Sequence, residues 1–524
     1  MNARHAALAA GLALLAAFGA QSILAVHGMS ATSDEATHLA AGYTYLTTGD
    51  LRLNPQHPPL MKMLAAAPLI VLRPALDRND PAWTSSPPRE WEFGTNFLYA
   101  NDADRLLWWA RLPIVALAVG LGVVVWRWAF EMHGRAGGLL AVFLYAWCPN
   151  LIAHSHFVTM DLGLAAFSTA HLWLLWRWSR SGSRSALGAA AVLLGLALAA
   201  KFSALLLLPA VVILVFAGAQ GSGAARARRG AAALAVCLAV AAVVVWAAYL
   251  FPTDPSFYLD GARRVNADHD PGRAYYLNGQ FRVGGFPHYF LAAFAWKTPV
   301  VVLALLVLSI PWWRRLAPLR RLDDAFVVLP AAVFFVGTSA FADNLGVRYL
   351  LPVFPWLYVY LGRWGRAWTG RRAQIAFAAV AAVALAVPSL RTYPDHLAYF
   401  NALAGGPSQG WKHLDDSNLD WGQDLKRVRR WMDDNGVDRI RLLYPWNARP
   451  EYYGIRYDPV TPDDWFGTPK PGTYVMATVW LVRGLHEARE RGVPTDWLER
   501  YEPVDRIGQS FFVYRFPPPS GHPR

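Results

Sequence analysis

The chain has 524 residues, of which 55% are apolar and only 16% charged. Several apolar runs are long enough to cross a hydrocarbon layer of about 30 Å, which excludes a soluble enzyme and points to a polytopic membrane protein. The formal charge of +13 does not indicate nucleic acid, because the Arg residues fall in short clusters between hydrophobic runs and no nucleic-acid module is visible. Cys148 and Cys237 sit in apolar segments without metal-type spacing and form no disulfide framework.

Taken in order, the chain opens with an apolar run, Ala6–Val26, expected as an uncleaved first span continuing to about His27; Ala17-Phe18-Gly19-Ala20 also has the small residues of a signal-peptide cleavage site. A long outer loop, 28–105, follows, with an irregular Pro-rich middle at 81–88. Within it, segment 35–46 and a short apolar helix at 60–72, too short to span, are expected to lie along the interface as amphipathic elements. Further spans are expected at 106–129, 136–153, 157–178, 185–200, 202–218, 231–251, 289–313, 325–342, 350–362 and 373–390, eleven with the first. The clusters Arg127/Arg135, Arg177/Arg180/Arg184, Arg226/Arg228/Arg229, Arg314/Arg315/Arg320/Arg321 and Arg363/Arg366/Arg371/Arg372 all fall on the side of the N-terminus, so that side is read as cytoplasmic. The opposite side receives the first loop, the turn at 154–156, the loop 251–288, the turn at 343–348 and everything after Leu390. Residues 1–390 thus form a membrane part. Residues 391–524 read as a small extracytoplasmic α/β domain, with strands at 439–444, 474–480 and 510–516 and helices at 423–434 and 481–491.

The chemistry is densest between Ser33 and Pro59, where Asp34, Glu35, His38, Asp50, Arg52, Asn54, Gln56 and His57 crowd the mouth of a hydrophobic segment. Titratable groups at such a place are costly unless used. Asp34, Glu35 and His38 have helical spacing and can share a face. A polar interface loop would use the same residues differently, with Ser33 as N-cap and Asp34 and Glu35 in a first helical turn. Asp161 is a lone carboxylate inside FVTMDLGLAAF, preceded by His154 and His156. Asp416, Asn418 and Asp420 alternate like calcium ligands, but Gly422 comes one place late and the bidentate Glu is missing, so an Asx-stabilised turn is expected.

DEATHLAAGYTYLTTGDLRLNPQHPPLMK closely resembles the first outer loop of the polyprenyl-phosphate-sugar-dependent membrane glycosyltransferases of the GT-C superfamily, the protein O-mannosyltransferase and aminoarabinose-transferase-like enzymes of glycosyltransferase family 39. Further matches follow in the same order: HFVTMDLGL (156–164), AYYLNGQFRVGGFPHYFLAAFAWKTP (274–299), NLGVRYLLPVFP (344–355) and HLAYFNALAGGPSQGWKHLDDSNLDWGQDL (396–425), the last two similar to a bacterial branch. The resemblance implies a GT-C fold of about eleven spans in a bacterial inner membrane. It also implies transfer of mannose, another hexose or an amino sugar from a polyprenyl phosphate to an extracytoplasmic hydroxyl of a protein, lipid or polysaccharide, with inversion. By similarity, Asp34 is the catalytic base, with Glu35 as support or alternate and Asp161 as the acidic residue of the second short loop. A departing phosphate needs cations. Arg348 is the first candidate, having a planar fork that matches phosphate oxygens, followed by Lys201 and Lys297. His57 stands where aminoarabinose-branch relatives carry Lys before Pro-Pro, and Lys62, one turn on, is a substitute. His38, His156 and His269 are weaker candidates for substrate contact. A divalent metal is left open with no residues assigned: Gln56 replaces an acidic ligand of some relatives, and His269 lies between Asp268 and Asp270. A transporter or a non-catalytic scaffold for envelope glycolipids is the rival class, although no inverted repeat is visible.

Overall fold

The structure, a computed structural model, describes residues 3–517 except 268–269, 271, 313–315, 317–320, 368–370, 461–469, 494, 496–497 and 499–500. Among these, five helices are long and apolar enough to cross a membrane, namely His5–His27, Ala103–Ala146, Gly223–Ala248, Leu322–Phe341 and Ile375–Thr392. A sixth span is made if the helices Tyr289–Lys297 and Val300–Ser309 count as one, bent by 114° at Thr298-Pro299. The chain is a multi-pass membrane protein. Side chains such as Val307, Val336, Phe341 and Val383 stand 64 to 79% exposed, as lipid-facing residues do.

Each stretch expected to span contains a helix, but among the described residues fewer qualify as spans than the eleven expected. The expected pair 106–129 and 136–153 is one continuous helical path broken at Gly134, whose φ of 77° and ψ of −168° turn the chain. The second half of the pair ends at Ala146 and is followed by a separate short helix, Pro149–His154. Asp161–Ser181 is long enough to span but too polar, carrying Asp161, His171, Arg177 and Arg180. Arg184–Ala200, Leu208–Gly218 and Val353–Leu361 are short. Lys201 interrupts the run 184–218 in extended conformation (φ −157°, ψ 137°), as a charge breaking an Ala/Leu run should.

The first outer loop is more ordered than its sequence suggests. Helix Glu35–Thr48 is buried on every side from Glu35 to Tyr45, so it does not lie at the interface as an amphipathic element. The reason is its small residues. A Cβ on Gly42 would come within 2.0 Å of the Lys62 carbonyl oxygen, so only glycine lets helix Leu60–Ala66 approach this closely. A helix that the sequence did not suggest, Glu90–Tyr99, covers the other side, and Asp80 ties it down by accepting a 2.8 Å bond from Asn96. The apolar helix expected at 60–72 is two pieces, Leu60–Ala66 and Leu69–Leu72, separated at Pro68.

Beyond the membrane helices, strands β1 (Ala274–Leu277) and β2 (Gln280–Val283) form an antiparallel hairpin inside loop 251–288. The C-terminal part holds a five-stranded mixed sheet of order β4-β3-β5-β7-β6, with β3 (Ile440–Leu443), β4 (Tyr457–Pro459), β5 (Gly472–Ala477), β6 (Asp505–Ile507) and β7 (Phe511–Phe516). The three expected strands are β3, β5 and β7. The short edge strands β4 and β6 lack a legible period, and 478–480 belongs to helix Thr478–Glu490 rather than to a strand. Between membrane helices and sheet, residues 396–424 run through short 3-10 turns that pack against the membrane part: Asn401 donates to the carbonyls of Ala295 and Thr298, and Lys297 to those of Leu397 and Asn418.

Candidate functional site

Asp34 sits at the N-cap of helix Glu35–Thr48, but its side chain makes no capping bond and is left free for other use. Ser33 does not cap; its Oγ accepts from Asn447. The capping role passes to Glu35, which turns back to accept from the Thr32 N–H at 2.9 Å. Glu35 is entirely buried, bonded bidentately by Arg111 (2.8 and 2.5 Å), and accepts a further bond from the Val158 N–H at 3.1 Å. Burial alone would raise its carboxyl; Arg111 and the two backbone donors outweigh burial and hold it below the usual range. Both oxygens are consumed, so Glu35 is a structural tie and not a second acid at the substrate. The tie has a geometric consequence: it fixes residue 35 of the first loop to residue 158, three residues before Asp161.

Four charged side chains meet beside this tie. Arg348 Nη1 lies 3.3 Å from Asp34 Oδ2 and 3.9 Å from Asp161 Oδ2, and Lys201 Nζ lies 2.5 Å from Asp161 Oδ1. Their side chains are only 3 to 16% exposed. Each comes from a different element. Asp161 opens helix Asp161–Ser181, where the helix dipole favours a carboxylate; Lys201 stands at the break after Ala200; Arg348 belongs to the 3-10 turn Val347–Leu350, whose first N–H donates to Asn418 Oδ1 at 2.9 Å. Aromatic rings flank the cations, Trp421 with its centroid 4.2 Å from the Arg348 guanidinium and Tyr349 4.4 Å from Lys201 Nζ.

His38 and His57 border the cluster with ring centroids 5.5 Å apart, and His38 Nδ1 is 2.8 Å from the Val158 carbonyl. Burial disfavours both imidazolium forms; at His38 the Asp34 carboxylate opposes burial without overcoming it, and at His57 the neighbouring His38, Lys201, Lys62 and Arg348 add to it. His57 also lines a cavity of about 740 Å³ walled by Tyr45, Arg52, Pro87, Tyr249, Phe257 and Arg264. The lining is mainly aromatic and Pro, with Arg52, Arg264 and Asp260 as its charged residues, a mix suited to an amphiphile.

The remaining expected site residues lie elsewhere. Lys62 is fully buried and donates to Tyr45 Oη (2.9 Å), the Asn54 carbonyl (2.6 Å) and the His57 carbonyl (2.8 Å). Burial pushes its ammonium down to about 7. Its donors are engaged by Tyr45 and by loop 54–57. Lys297 is likewise buried, with its ammonium on the carbonyls of Leu397 and Asn418, and pins the 396–424 segment instead of facing a ligand. His156 is wholly buried against Phe157, with Arg111, His154 and His396 as its titratable neighbours, and does not open onto the Asp34 cluster. His269 lies outside the described residues. Gln56 donates to Glu90 at 3.0 Å, and among the described residues no three His, Cys, Asp or Glu side chains come together as metal ligands. The calcium-like triplet is a turn: Asp416 and Asp420 accept from the N–H groups of Ser417 and Gly422, and Asn418 bonds Tyr289 and the Asp415 carbonyl. Sequence reasoning missed Arg111 and Trp421. A lone Arg in an apolar helix was a usable signal for the first; for the second the signal was only its place in the unexplained segment DDSNLDWGQD.

Residues 103–247 match the family model described as dolichyl-phosphate-mannose-protein mannosyltransferase. That stretch contains Asp161 and Lys201. Over that stretch, rather more than a quarter of its length, the chain is similar to the mannosyltransferases that the model describes. Similar solved structures include ArnT from Cupriavidus metallidurans in the apo state (14% identity, 96% of this chain and 97% of that one, TM-score 0.48) and bound to undecaprenyl phosphate (14%, 96% and 97%, 0.49). The archaeal oligosaccharyltransferase AglB from Archaeoglobus fulgidus, in complex with an inhibitory peptide and a dolichol-phosphate, is 11% identical over 96% of this chain and 74% of that one, with a TM-score of 0.47. Values of this size describe a loose likeness of chain path and give no residue correspondence. No curated protein matches the chain significantly.

Proposed function

We propose that this protein is a membrane glycosyltransferase that moves a sugar from a polyprenyl phosphate to an acceptor hydroxyl on the outer face of a bacterial inner membrane, in one inverting displacement. The observation that carries the reading is the neutral quartet Asp34, Arg348, Asp161 and Lys201, buried at a membrane mouth beside an aromatic cavity. Asp34, whose side chain makes no capping bond, accepts the acceptor proton as the hydroxyl oxygen forms its bond to the anomeric carbon. The carbon–oxygen bond to phosphate breaks with its electron pair leaving on phosphate. A sugar phosphodiester carries one negative charge and the departing monoester approaches two, so Arg348 and Lys201 stabilise the charge that develops. Asp161 holds both cations in place between turnovers.

In this reading residues 1–390 are the catalytic membrane part, with residues 391–524 on the same outer side. What supports this orientation is the spacing along one helix: Arg111, at the site, and Arg127, in the first basic cluster, are sixteen helical residues, about 24 Å, apart. The test is incubation of the purified protein in lipid with a panel of radiolabelled polyprenyl-phosphate sugars and envelope extract, with Arg348→Ala and Asp161→Asn in parallel. Consumption of one donor by wild type alone supports the reading and identifies the sugar. Equal inertness of all three proteins toward every donor favours a scaffold or transporter.

A further inference from the structure

The segment DDSNLDWGQD, residues 415–424, is the one strong sequence feature that the reaction above leaves unused. It is not a peripheral cover. Residues 421–425 zip onto the strand of loop that leads into Asp34: the Ser30 and Ser33 N–H groups donate to the carbonyls of Gln423 and Trp421 at 2.9 Å, Ser30 Oγ donates to the Gly422 carbonyl, and the Leu425 N–H donates to Ser30 Oγ. Trp421 is 2% exposed and meets all three site elements at once. Its carbonyl holds Ser33, next to Asp34; its ring stands edge-on to Phe157 and His154, ahead of Asp161; its face receives the Arg348 guanidinium at 4.2 Å.

The contact with Arg348 decides how that residue can act. Both carboxylates approach the same nitrogen, Nη1, and Nε is buried without a partner. Carboxylate contacts at a single nitrogen leave the guanidinium free to rotate about that point. The rings of Trp421 and, at 5.2 Å, Tyr349 are what define its plane. A bidentate phosphate contact depends on the plane of the fork as well as on its charge.

We propose that Trp421, supplied by the C-terminal part, is a positioning residue of the phosphate site, stacking on Arg348 so that its fork faces the departing phosphate. The C-terminal part therefore completes the reaction centre, although the charged residues of that centre all lie before residue 350. This rests on the reading of Arg348 as a phosphate ligand.

The experiment compares binding of undecaprenyl phosphate and of undecaprenol to the full-length protein in detergent by native mass spectrometry, for wild type, Trp421→Phe, Trp421→Leu and Arg348→Lys. The measured quantity is the preference for phosphate over alcohol. Trp421→Leu is expected to reduce it by about tenfold or more with undecaprenol binding unchanged, and Trp421→Phe, which keeps an aromatic face, to restore most of it. A preference as large as wild type in both Trp421 variants, alongside its loss in Arg348→Lys, overturns the inference and leaves Arg348 as the phosphate ligand. Parallel weakening of both lipids in the Trp421 variants also overturns it, since that is the mark of a packing role. A wild type with no preference for phosphate overturns the phosphate site itself. If Trp421→Leu does not fold, Trp421→Met takes its place, with the same loss expected and a preference as large as wild type overturning the inference.

Discussion

The buried Glu35–Arg111 pair offers the sharpest test of how the site is built. Its side chains are 0% and 1% exposed, and Glu35 also satisfies the Thr32 and Val158 N–H groups. Arg111→Met leaves an uncompensated carboxylate in a dry interior, which costs about 3–5 kcal/mol. Glu35→Gln leaves a buried guanidinium with one neutral oxygen and the Ser30 carbonyl, a penalty of the same order. The double variant carries neither orphaned charge, and the Gln carbonyl can still accept one of the two N–H bonds. What remains is about one unsatisfied donor, roughly 1–3 kcal/mol. The double variant should therefore be more stable than either single one, with a coupling of several kcal/mol, read from SDS-induced unfolding in mixed micelles. Additive losses, or single losses under about 1 kcal/mol, would refute the tie. So would Glu35→Gln that abolishes transfer at unchanged stability, which would return Glu35 to a catalytic role.

Lys62→Met removes the hydrogen bonds to Tyr45 Oη, Asn54 and the His57 carbonyl and should destabilise the protein by about 3 kcal/mol or more, while undecaprenyl phosphate affinity stays within about threefold of wild type. A collapse of affinity at full stability would make Lys62 a phosphate ligand after all. Asp420 is fully buried with no cation partner, and burial raises its carboxyl from 3.8 to about 7. The folded state thus keeps a proton that the unfolded chain releases from about pH 4, so Asp420 makes stability fall as pH rises to about 7 and level off above it. Asp420→Asn should flatten that decline in a thermal-unfolding series from pH 4 to 8, and identical slopes for the two proteins would contradict the assignment.

Much of the site was legible because its residues violate their surroundings. A carboxylate at 161 in an apolar helix, a lysine at 201 in an Ala/Leu run and an acidic pair after the first span each announce themselves by cost, and the structure brings Asp34, Asp161, Lys201 and Arg348 together. Partner choice was not legible. Glu35 and Asp34 are adjacent and chemically alike, and only the position of Arg111, seventy-six residues on, separates tie from free acid. The same holds for the lysines: Lys62 and Lys297 look like phosphate ligands in sequence, and backbone carbonyls that no sequence pattern displays consume them. Helix Glu35–Thr48 was misplaced at the interface because its Gly and Ala positions, which permit burial, weaken any amphipathic pattern. Strands β4 and β6, three residues each, are too short to show a period.

The most direct measurement takes Asp34→Asn and reads two quantities on one preparation: sugar transfer from the donor found in the panel, and affinity for undecaprenyl phosphate. If Asp34 is the base and Arg348 the phosphate ligand, transfer falls by about a hundredfold or more, while phosphate affinity is kept or rises, because Arg348 loses a competing carboxylate 3.3 Å away. Transfer at wild-type rate, or transfer and phosphate affinity lost together, would contradict the assignment of the two roles.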